Sequence, residues 1–351
     1  MIADRLTAQL LSGEPASSPV AVAERLLAIQ AQDPRGARLT VRARTRGRSV
    51  TDVDRALSTD RSMLISWLNR GTLHLVRSED YPWLHALTTP PLFTANARRL
   101  AQEGVSADAA ERGVAVIVHS LGDAGPLTRA QLRERIAAAG VRTERQALVH
   151  ILMLASLRGL TVRGPMIGRD QAYVLVRDWL GAAAPVDREA ALAELARRYL
   201  AGHGPADDRD LARWAGLPLR DARAGLEAIA SELAQRDDGL VDLYARAPAA
   251  ELPPPRLLGA FEPLLLGWRS RQPLLDSQEG VVTVNGLFRP FALVRGRAAA
   301  TWSMAGTDVV LDPFDPLARE DAAALEADGA DVVRFLTAPD SPFVHLSAHR
   351  S

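Results

Sequence analysis

The sequence of 351 residues contains no cysteine and no lysine. The absence of cysteine excludes disulfide bonds, thiolate nucleophiles and metal sites built on cysteine ligands. The absence of lysine excludes a Schiff base on an ε-amino group and a phosphate loop that ends in lysine. All 42 basic side chains are therefore arginine, so any phosphate contact must come from a guanidinium group.

Long apolar runs and an excess of charge are missing as well. The longest uncharged apolar stretch near the N-terminus, 19–23, is far shorter than a membrane span or a signal-peptide core. Acidic and basic residues balance at 42 each, and the 47% hydrophobic content is typical of a globular protein. We therefore expect a cytoplasmic protein without a membrane partner, built from about two to four structural units.

Catalytic motifs of several common enzyme classes are also missing. No Gly-x-Ser-x-Gly nucleophile elbow occurs. The seven histidines are scattered, and His345 and His349 lie four residues apart without a carboxylate as a third ligand. The sequence therefore predicts neither a metal site nor a cofactor.

Three stretches of the chain repeat the order of helices followed by strands. Apolar residues at helical spacing predict helices, and short runs rich in β-branched residues predict strands. The predicted helices are 2–11, 19–33, 51–57, 130–136, 144–157 and 219–233, and the predicted strands are 63–68, 72–76, 160–163, 172–176 and 240–244. This order is typical of a winged helix–turn–helix, and it predicts DNA-binding modules at 1–120, 121–185 and 186–250.

The pattern changes after a proline-rich linker at 248–255. Four β-runs follow with turns at Asn285-Gly286 and Arg295-Gly296, and then a helix and a last strand. The β-runs are 281–284, 291–294, 298–302 and 309–311, the helix is 320–327 and the last strand is 332–336. The predicted fold class is therefore α+β, with three tandem winged helix–turn–helix modules and a C-terminal β-rich, barrel-like domain at 256–351.

The stretch 28–34, Ala-Ile-Gln-Ala-Gln-Asp-Pro, places three polar side chains at the end of an apolar, helix-patterned run. We expect the helix to end before Pro34, because the residue that precedes proline disfavours the α region. An extended backbone there would put Gln30 and Gln32 on one face. Gln30, Gln32 and Asp33 are the candidate catalytic residues. The alternative is that the glutamines cap the helix and that Asp33 forms a turn.

Six arginines follow this stretch, and the last four alternate along the sequence. They are Arg35, Arg38, Arg42, Arg44, Arg46 and Arg48. In an extended segment the alternating side chains would share a face and could follow a DNA phosphate backbone. The alternative is a solvated face, partly neutralised by Asp52 and Asp54.

Neutral amides suit the hydrolysis of one kind of bond, the N-glycosidic bond of an alkylated purine. Such a bond breaks through an oxocarbenium-like sugar, as in glycoside hydrolysis. The alkylated purine already carries positive charge, so it leaves without a strong general acid. Paired amide oxygens would hold a water and stabilise the sugar cation, with Asp33 as a possible base. Without lysine, such an enzyme would be monofunctional and would leave the abasic site uncleaved.

At these residues the sequence resembles the AlkZ-like family of winged-helix DNA glycosylases. The family's Gln-hydrophobic-Gln motif is matched by Gln30-Ala31-Gln32, as in its azinomycin-resistance branch. Further matching phrases occur at 70–75, 261–267, 285–290, 296–297 and 301–302. The resemblance implies three tandem winged helices with a C-terminal β-domain, catalysis by Gln30 and Gln32, and a role in antibiotic self-resistance. The implied partner is double-stranded DNA carrying alkylated bases or crosslinks, with no obligatory protein partner.

A glycosylase must also wedge into or follow a groove of the DNA. The turn Asn285-Gly286 with Phe288 and Arg289 is our candidate for this contact. The alternative is that Phe288 belongs to the core and that Arg289 is a surface charge. Two other functions remain open, a winged-helix transcription regulator without catalytic activity and a protein that sequesters a DNA-damaging ligand. Three modules in one chain disfavour the regulator, because regulators usually bind palindromes as symmetric dimers.

Overall fold

The structure is a computed structural model that describes residues 1–168, 170–182, 184–275, 280–283 and 285–337. His345 and His349 lie outside the described residues. The helices are α1 (Ile2–Ala8), α2 (Pro19–Leu26), α3 (Pro34–Arg42), α4 (Val50–Leu57), α5 (Tyr81–Thr88), α6 (Leu92–Gln102), α7 (Ala107–Ala124), α8 (Arg129–Ala138), α9 (Ala147–Leu157), α10 (Val176–Leu180), α11 (Arg188–His203), α12 (Asp208–Ala215), α13 (Leu219–Ala228), α14 (Pro263–Leu266), α15 (Gln272–Leu275) and α16 (Arg319–Leu336). None of these helices is long and apolar enough to cross a membrane.

The strands are short and, where their pairing is described below, antiparallel. They are β1 (Ile29–Gln30), β2 (Met63–Trp67), β3 (Leu73–Arg77), β4 (Thr161–Ile167), β5 (Asp170–Leu175), β6 (Leu233–Gln235), β7 (Val241–Leu243), β8 (Arg256–Leu258), β9 (Phe291–Val294), β10 (Arg297–Ala305) and β11 (Asp308–Pro313).

The chain forms two compact units, and both are discontinuous in sequence. Unit 1 contains Met1–Val53, Leu192–Trp214 and the described chain from Pro218 onward. Unit 2 contains Asp54–Ala191 and Ala215–Leu217. The predicted module boundaries near residues 120, 185 and 250 follow repeated sequence motifs and not compact units. They stay a prediction.

Unit 2 contains a sheet in which β3, β2, β4 and β5 are hydrogen-bonded in that order. The predicted hairpin is confirmed, with Ser66 opposite His74 in the register of β2 and β3. The predicted strands at 160–163 and 172–176 are confirmed as β4 and β5. The predicted helices at 130–136 and 144–157 correspond to α8 and α9. Helix α8 begins at a reciprocal cap between Thr128 and Gln131.

Unit 1 contains the antiparallel sheet β11-β10-β9-β8, against which α16 packs. The predicted strand at 240–244 is present as β7, and it pairs with β6, whose first residue, Leu233, had been assigned to the end of a helix. Helix α13 ends at Ala228, several residues before the predicted end at 233.

The predicted strand at 332–336 is wrong, because these residues form the last turns of α16. Leu325, Val332, Phe335 and Leu336 are all buried, at spacings that place them on one helical face. A short apolar run does not by itself distinguish a strand from a buried helix, so the sequence pattern was ambiguous there.

Candidate functional site

The segment that carries the two glutamines lies between two helices of unit 1. Helix α2 begins where the backbone N–H of Ala21 donates to Oγ of Ser18 at 3.1 Å. It ends at Leu26, and Leu27 has a positive φ of 63° that a helix does not accept. The residues before Pro34 are therefore non-helical, as expected, but the helix ends well before the predicted position. Ile29 and Gln30 form the short strand β1.

The two glutamines differ in their surroundings. Gln30 is 7% exposed, whereas Gln32 is exposed. In the part of the chain that the structure describes, neither side-chain amide forms a hydrogen bond. Among the described residues, neither amide therefore caps a carbonyl group at a helix end, which was the alternative. Although the Gln30 residue is only 7% exposed, its amide atoms retain contact with solvent, so a water or a substrate can satisfy them.

Asp33 begins the next helix. Its Oδ1 accepts the backbone N–H of Arg35 at 3.0 Å, and Pro34 occupies the first position of α3. Asp33 thus has a defined structural role as the N-cap of α3, whereas the sequence had suggested a catalytic residue or a turn former.

Close backbone packing fixes the start of α3. A Cβ atom added at Gly36 would lie 2.4 Å from the carbonyl oxygen of Ala260, and one added at Gly259 would lie 2.9 Å from Cα of Gly36. Only glycine permits this approach of the two backbones. The position of Asp33, one turn earlier, is therefore set by the chain near residue 260.

The prediction that the arginines at 42–48 share one face of an extended segment is wrong. The chain from Pro34 to Arg42 is helical, and Arg38, Arg42 and Arg44 are buried. Arg38 is fully buried and donates from Nη1 to the carbonyl oxygen of Pro34 at 3.0 Å. These three side chains point into the protein, so they do not offer the solvent-facing row that a phosphate backbone requires.

Arg44 and Glu262 form an ion pair in which both side chains are 0% exposed. Nη2 of Arg44 lies 2.5 Å from Oε1 of Glu262. The second carboxylate oxygen accepts the hydroxyl of Thr40 at 3.3 Å, and Nε of Arg44 donates to the carbonyl oxygen of Gln9 at 2.6 Å. Glu262, in the phrase at 261–267, thus anchors the segment that contains Arg44.

Arg42 is held in a similar way by β8 and α16. Its Nε donates to Oδ2 of Asp331 at 2.9 Å, its Nη1 to the carbonyl oxygen of Leu257 at 3.1 Å, and its Nη2 pairs with Asp328. The guanidinium groups of Arg42 and Arg334 lower the pKa of Asp331, although burial opposes this shift.

The other three of the six arginines that follow the glutamines keep contact with solvent. Arg46 is exposed, while Arg35 and Arg48 are half-buried. Nη2 of Arg48 donates to the carbonyl oxygen of Ser17 at 2.5 Å. DNA contact by these three side chains stays a prediction.

The candidate groove-binding turn is the tip of a small hairpin. The backbone N–H of Thr283 donates to the carbonyl oxygen of Leu287 at 2.9 Å, and Val282 is bridged to Phe288. Phe288 packs against Phe261 at 5.6 Å between ring centroids, so its ring is held against the protein. Leu287, which follows the Asn285-Gly286 turn, is an apolar side chain that is 58% exposed, and sequence reasoning passed over it. Arg289 is exposed beside it.

His74 lies in the matching phrase at 70–75 of unit 2, and it is 2% exposed. Burial lowers its pKa to about 3, and the nearby charge of Arg70 acts in the same direction. The neutral ring bonds through Nδ1 to the carbonyl oxygen of Thr72 at 3.0 Å. His74 is therefore a structural histidine of the hairpin. Among the described residues, no three His, Asp or Glu side chains are grouped so that they could hold a metal ion.

Comparisons with known proteins agree on one family. A family model described as DNA glycosylase AlkZ-like matches residues 23–335. A relative from Streptomyces sahachiroi, named interstrand DNA cross-link repair glycosylase, is 28% identical over 348 residues and covers 92% of each chain. The solved structure of Streptomyces sahachiroi DNA glycosylase AlkZ superposes with a TM-score of 0.76 at 25% identity, over 95% of each chain.

These matches favour the enzyme over the transcription regulator. The mixed helix and strand architecture is that of the solved relative. Because the family model spans nearly the whole chain, the protein belongs to the AlkZ-like family and is a DNA glycosylase.

Proposed function

We propose that this chain is a monofunctional glycosylase that hydrolyses the N-glycosidic bond of N7-alkylated purines in double-stranded DNA, with Gln30 and Gln32 as its catalytic residues. The observation that supports this site best is the amide of Gln30. It belongs to a side chain that is only 7% exposed, it forms no hydrogen bond within the described residues, and it lies two positions from an exposed second amide.

The amides act on charge that develops as the bond breaks. The electron pair of the N-glycosidic bond leaves with the alkylated base, which departs neutral, and the positive charge passes to the sugar as an oxocarbenium-like cation. The side-chain oxygen of Gln30, in partly desolvated surroundings, stabilises that cation more strongly than an exposed oxygen could. In this proposal the exposed Gln32 orients the attacking water. This division of roles follows from the difference in burial between the two residues.

Asp33 serves this site in two ways in our proposal. Its Oδ1 caps α3 and so fixes the backbone next to Gln32. Its negative charge also favours a cationic sugar nearby and allows it to accept a proton from the attacking water. Substitution by asparagine separates these roles, because asparagine retains the cap but removes the charge.

The substrate range extends to bulky adducts and interstrand crosslinks in this proposal. The support is the relative from Streptomyces sahachiroi, which is named for crosslink repair. A crosslink through the N7 atoms of purines is chemically two alkylated purines, so the same bond would be broken. We therefore infer a role in self-resistance to a DNA-alkylating natural product, with chromosomal DNA in the cytoplasm as the partner.

Repeated winged-helix modules would provide the DNA-binding framework. Support comes from the order α8, α9, β4, β5 in unit 2 and from the order α12, α13, β6, β7 in residues 208–243. Each contains a helix pair followed by an antiparallel strand pair. The Leu287 tip and Arg289 would contact a groove, and Arg35, Arg46 and Arg48 would contact phosphates.

The experiment is a base-release assay on a duplex with one N7-methylguanine. We expect free N7-methylguanine and a strand that breaks only after heating in alkali, because the chain has no lysine for a lyase step. A strand cut without alkali would contradict the monofunctional proposal. No release from alkylated or crosslinked duplexes would contradict the proposed substrate class.

A further inference from the structure

The backbone at Leu27, three residues before Gln30, has a conformation that leucine rarely adopts. Its φ of 63° is combined with a ψ of −49°, which lies outside both the right-handed and the left-handed helical regions. The backbone N–H of Ala28 donates to the carbonyl oxygen of Leu26 at 2.7 Å, so the three residues form a γ-turn with a positive central φ. This turn is strained for any residue that has a Cβ atom, and glycine would adopt it more easily.

Burial of the side chain holds Leu27 in this turn. The side chains of Leu26 and Leu27 are fully buried. The backbone N–H of Leu27 also donates to the carbonyl oxygen of Ala23 at 2.9 Å, which closes the last turn of α2. A return of Leu27 to a negative φ would move its side chain out of this close packing. The packing therefore opposes relaxation of the backbone.

Helix α11 supports the end of α2 from outside. A Cβ atom added at Gly202 would overlap the carbonyl oxygen of Arg25 and would lie 3.4 Å from Cα of Leu26. Nη2 of Arg198, one turn earlier on α11, donates to the carbonyl oxygen of Glu24 at 2.5 Å. The last turn of α2 thus lies directly against α11, so it has no room to shift in that direction and release the γ-turn.

The turn sets the direction in which the chain leaves α2. Ile29 and Gln30 follow it as β1, and Ile29 is fully buried. A helical conformation at Leu27 would instead extend α2 and carry Gln30 around the helix axis. Strain of this kind persists only where the surrounding structure enforces it, and such positions cluster at functional sites.

We propose that Leu27 is a positioning residue of the glycosylase, whose strained γ-turn fixes the direction of the Gln30 amide towards the sugar cation. Leucine suits this role better than glycine, because glycine would permit the turn without enforcing it and would allow Gln30 several orientations. The inference rests on the proposed catalytic role of Gln30. It adds that the rate of base release depends on the conformation of a residue that is itself fully buried.

The strain is tested through stability, with alanine and glycine at residue 27. Both substitutions remove the buried side chain, but only glycine accepts this turn without strain. Leu27→Gly should therefore unfold at a higher denaturant concentration than Leu27→Ala. At Leu325, a fully buried residue inside α16, the order should be reversed, because glycine disfavours a helix relative to alanine. A Leu27→Ala variant more stable than Leu27→Gly would overturn the proposal.

The positioning role is tested by single-turnover release of N7-methylguanine at saturating enzyme, at a temperature where circular dichroism shows every variant folded. Both Leu27 variants should lower the rate about tenfold or more, since the productive orientation of Gln30 becomes a minor population. Their affinity for the duplex should be unchanged, because Leu27 is fully buried. Leu27→Met keeps a buried side chain of similar volume and should retain the rate within about threefold. Leu325→Ala loses a comparable side chain and should retain the original rate.

A second variant acts on the same turn without changing residue 27. Gly202→Ala places a methyl group against the carbonyl oxygen of Arg25, so the end of α2 must shift. It should also lower the rate with unchanged duplex affinity, and it replaces a Leu27 variant that does not fold. A folded Gly202→Ala variant with the original rate would count against the proposal.

The outcomes separate this inference from the proposed function. Slow release in both Leu27 variants, with the original rate in Leu325→Ala, supports the positioning role. An equal loss of rate in Leu325→Ala would show that the rate follows stability, which overturns it. If Gln30→Ala is slow while the Leu27 variants keep the original rate, the positioning role is overturned and the catalytic proposal stands. If Gln30→Ala keeps the original rate, the catalytic proposal fails and the positioning role fails with it.

Discussion

Arg44 and Glu262 are 218 positions apart in the sequence, and their side chains meet as a fully buried ion pair. Together with the bonds of Arg42 to Leu257, Asp328 and Asp331, this pair joins the segment after α3 to the C-terminal part of unit 1. The arginine segment that the sequence suggested for DNA binding therefore stabilises the fold through Arg42 and Arg44. Its position also holds α3, whose first residues follow the two glutamines.

The first prediction concerns this ion pair. Glu262→Ala leaves the charge of Arg44 buried without its partner, and such a loss typically costs about 3–5 kcal/mol. We expect the free energy of unfolding in guanidinium chloride to fall by that amount. The control is Glu111→Ala, which removes the surface partner of Arg158 and should cost about 1 kcal/mol or less. Equal effects of the two substitutions would show that the Arg44 pair does not hold the segment.

The second prediction concerns the contact of Gly36 with the chain near residue 260. In Gly36→Ala the added methyl group would overlap the carbonyl oxygen of Ala260, so α3 must shift. We expect a loss of stability of about 1–3 kcal/mol, together with slower base release because Asp33 moves with the helix. Gly122→Ala is the matched helical control, since only the flexible end of Arg177 lies near its added methyl group. There alanine should be neutral or stabilise by about 0.5–1 kcal/mol. A fully stable and active Gly36→Ala variant would contradict this role of the close approach.

The third prediction is a pH dependence of stability. The pKa of His74 is lowered to about 3 in the folded protein, so between that value and its ordinary value near 6.5 the unfolded chain binds more protons. The stability contributed by the neutral ring is therefore complete above about pH 6.5 and falls as the pH decreases towards 3. Denaturant titrations across this window should give a slope for His74→Phe that is smaller by up to about 1.4 kcal/mol per pH unit. The exposed His119→Gln serves as the control. A slope in His74→Phe equal to that of the unsubstituted chain would refute the assignment.

The fourth prediction concerns the apolar tip of the hairpin. Leu287 is 58% exposed, so Leu287→Ala should not change the unfolding free energy measurably. If the side chain inserts into a groove of DNA, its truncation removes about 1–2 kcal/mol of apolar burial and weakens duplex binding roughly tenfold. Val310→Ala provides a control on another exposed apolar residue. Equal affinities for the duplex in both variants would exclude a wedge at this turn.

Local chemistry explains which parts of the fold were predictable. The hairpin at 63–76 and the helices at 130–136 and 144–157 depend on residues close in sequence, and the structure confirms them. The partners of Arg42 and Arg44 lie more than 200 positions away, so no local pattern could reveal that these arginines are buried. The strand prediction for 332–336 was wrong for a different reason, because a short apolar run fits a strand and a buried helix face equally well.

The candidate site was predictable in part. The pair Gln30 and Gln32 was identified by sequence, but the difference in burial between them was not, because it depends on packing that the alternation of residues does not encode. The N-cap role of Asp33 follows from Pro34 at the first position of α3. A helix beginning there was not considered, since Pro34 was interpreted only as the end of the preceding helix.

The most direct test of the central claim is the single-turnover rate of N7-methylguanine release with enzyme in excess over the duplex. We expect Gln30→Ala and Gln32→Ala each to lower this rate on the order of 100-fold, as for loss of one preorganised polar group in a site of developing charge. Duplex affinity should be retained, and Gln102→Ala at the end of α6 should release base at the original rate. A double variant of Gln30 and Gln32 that still releases base at the original rate would contradict the account.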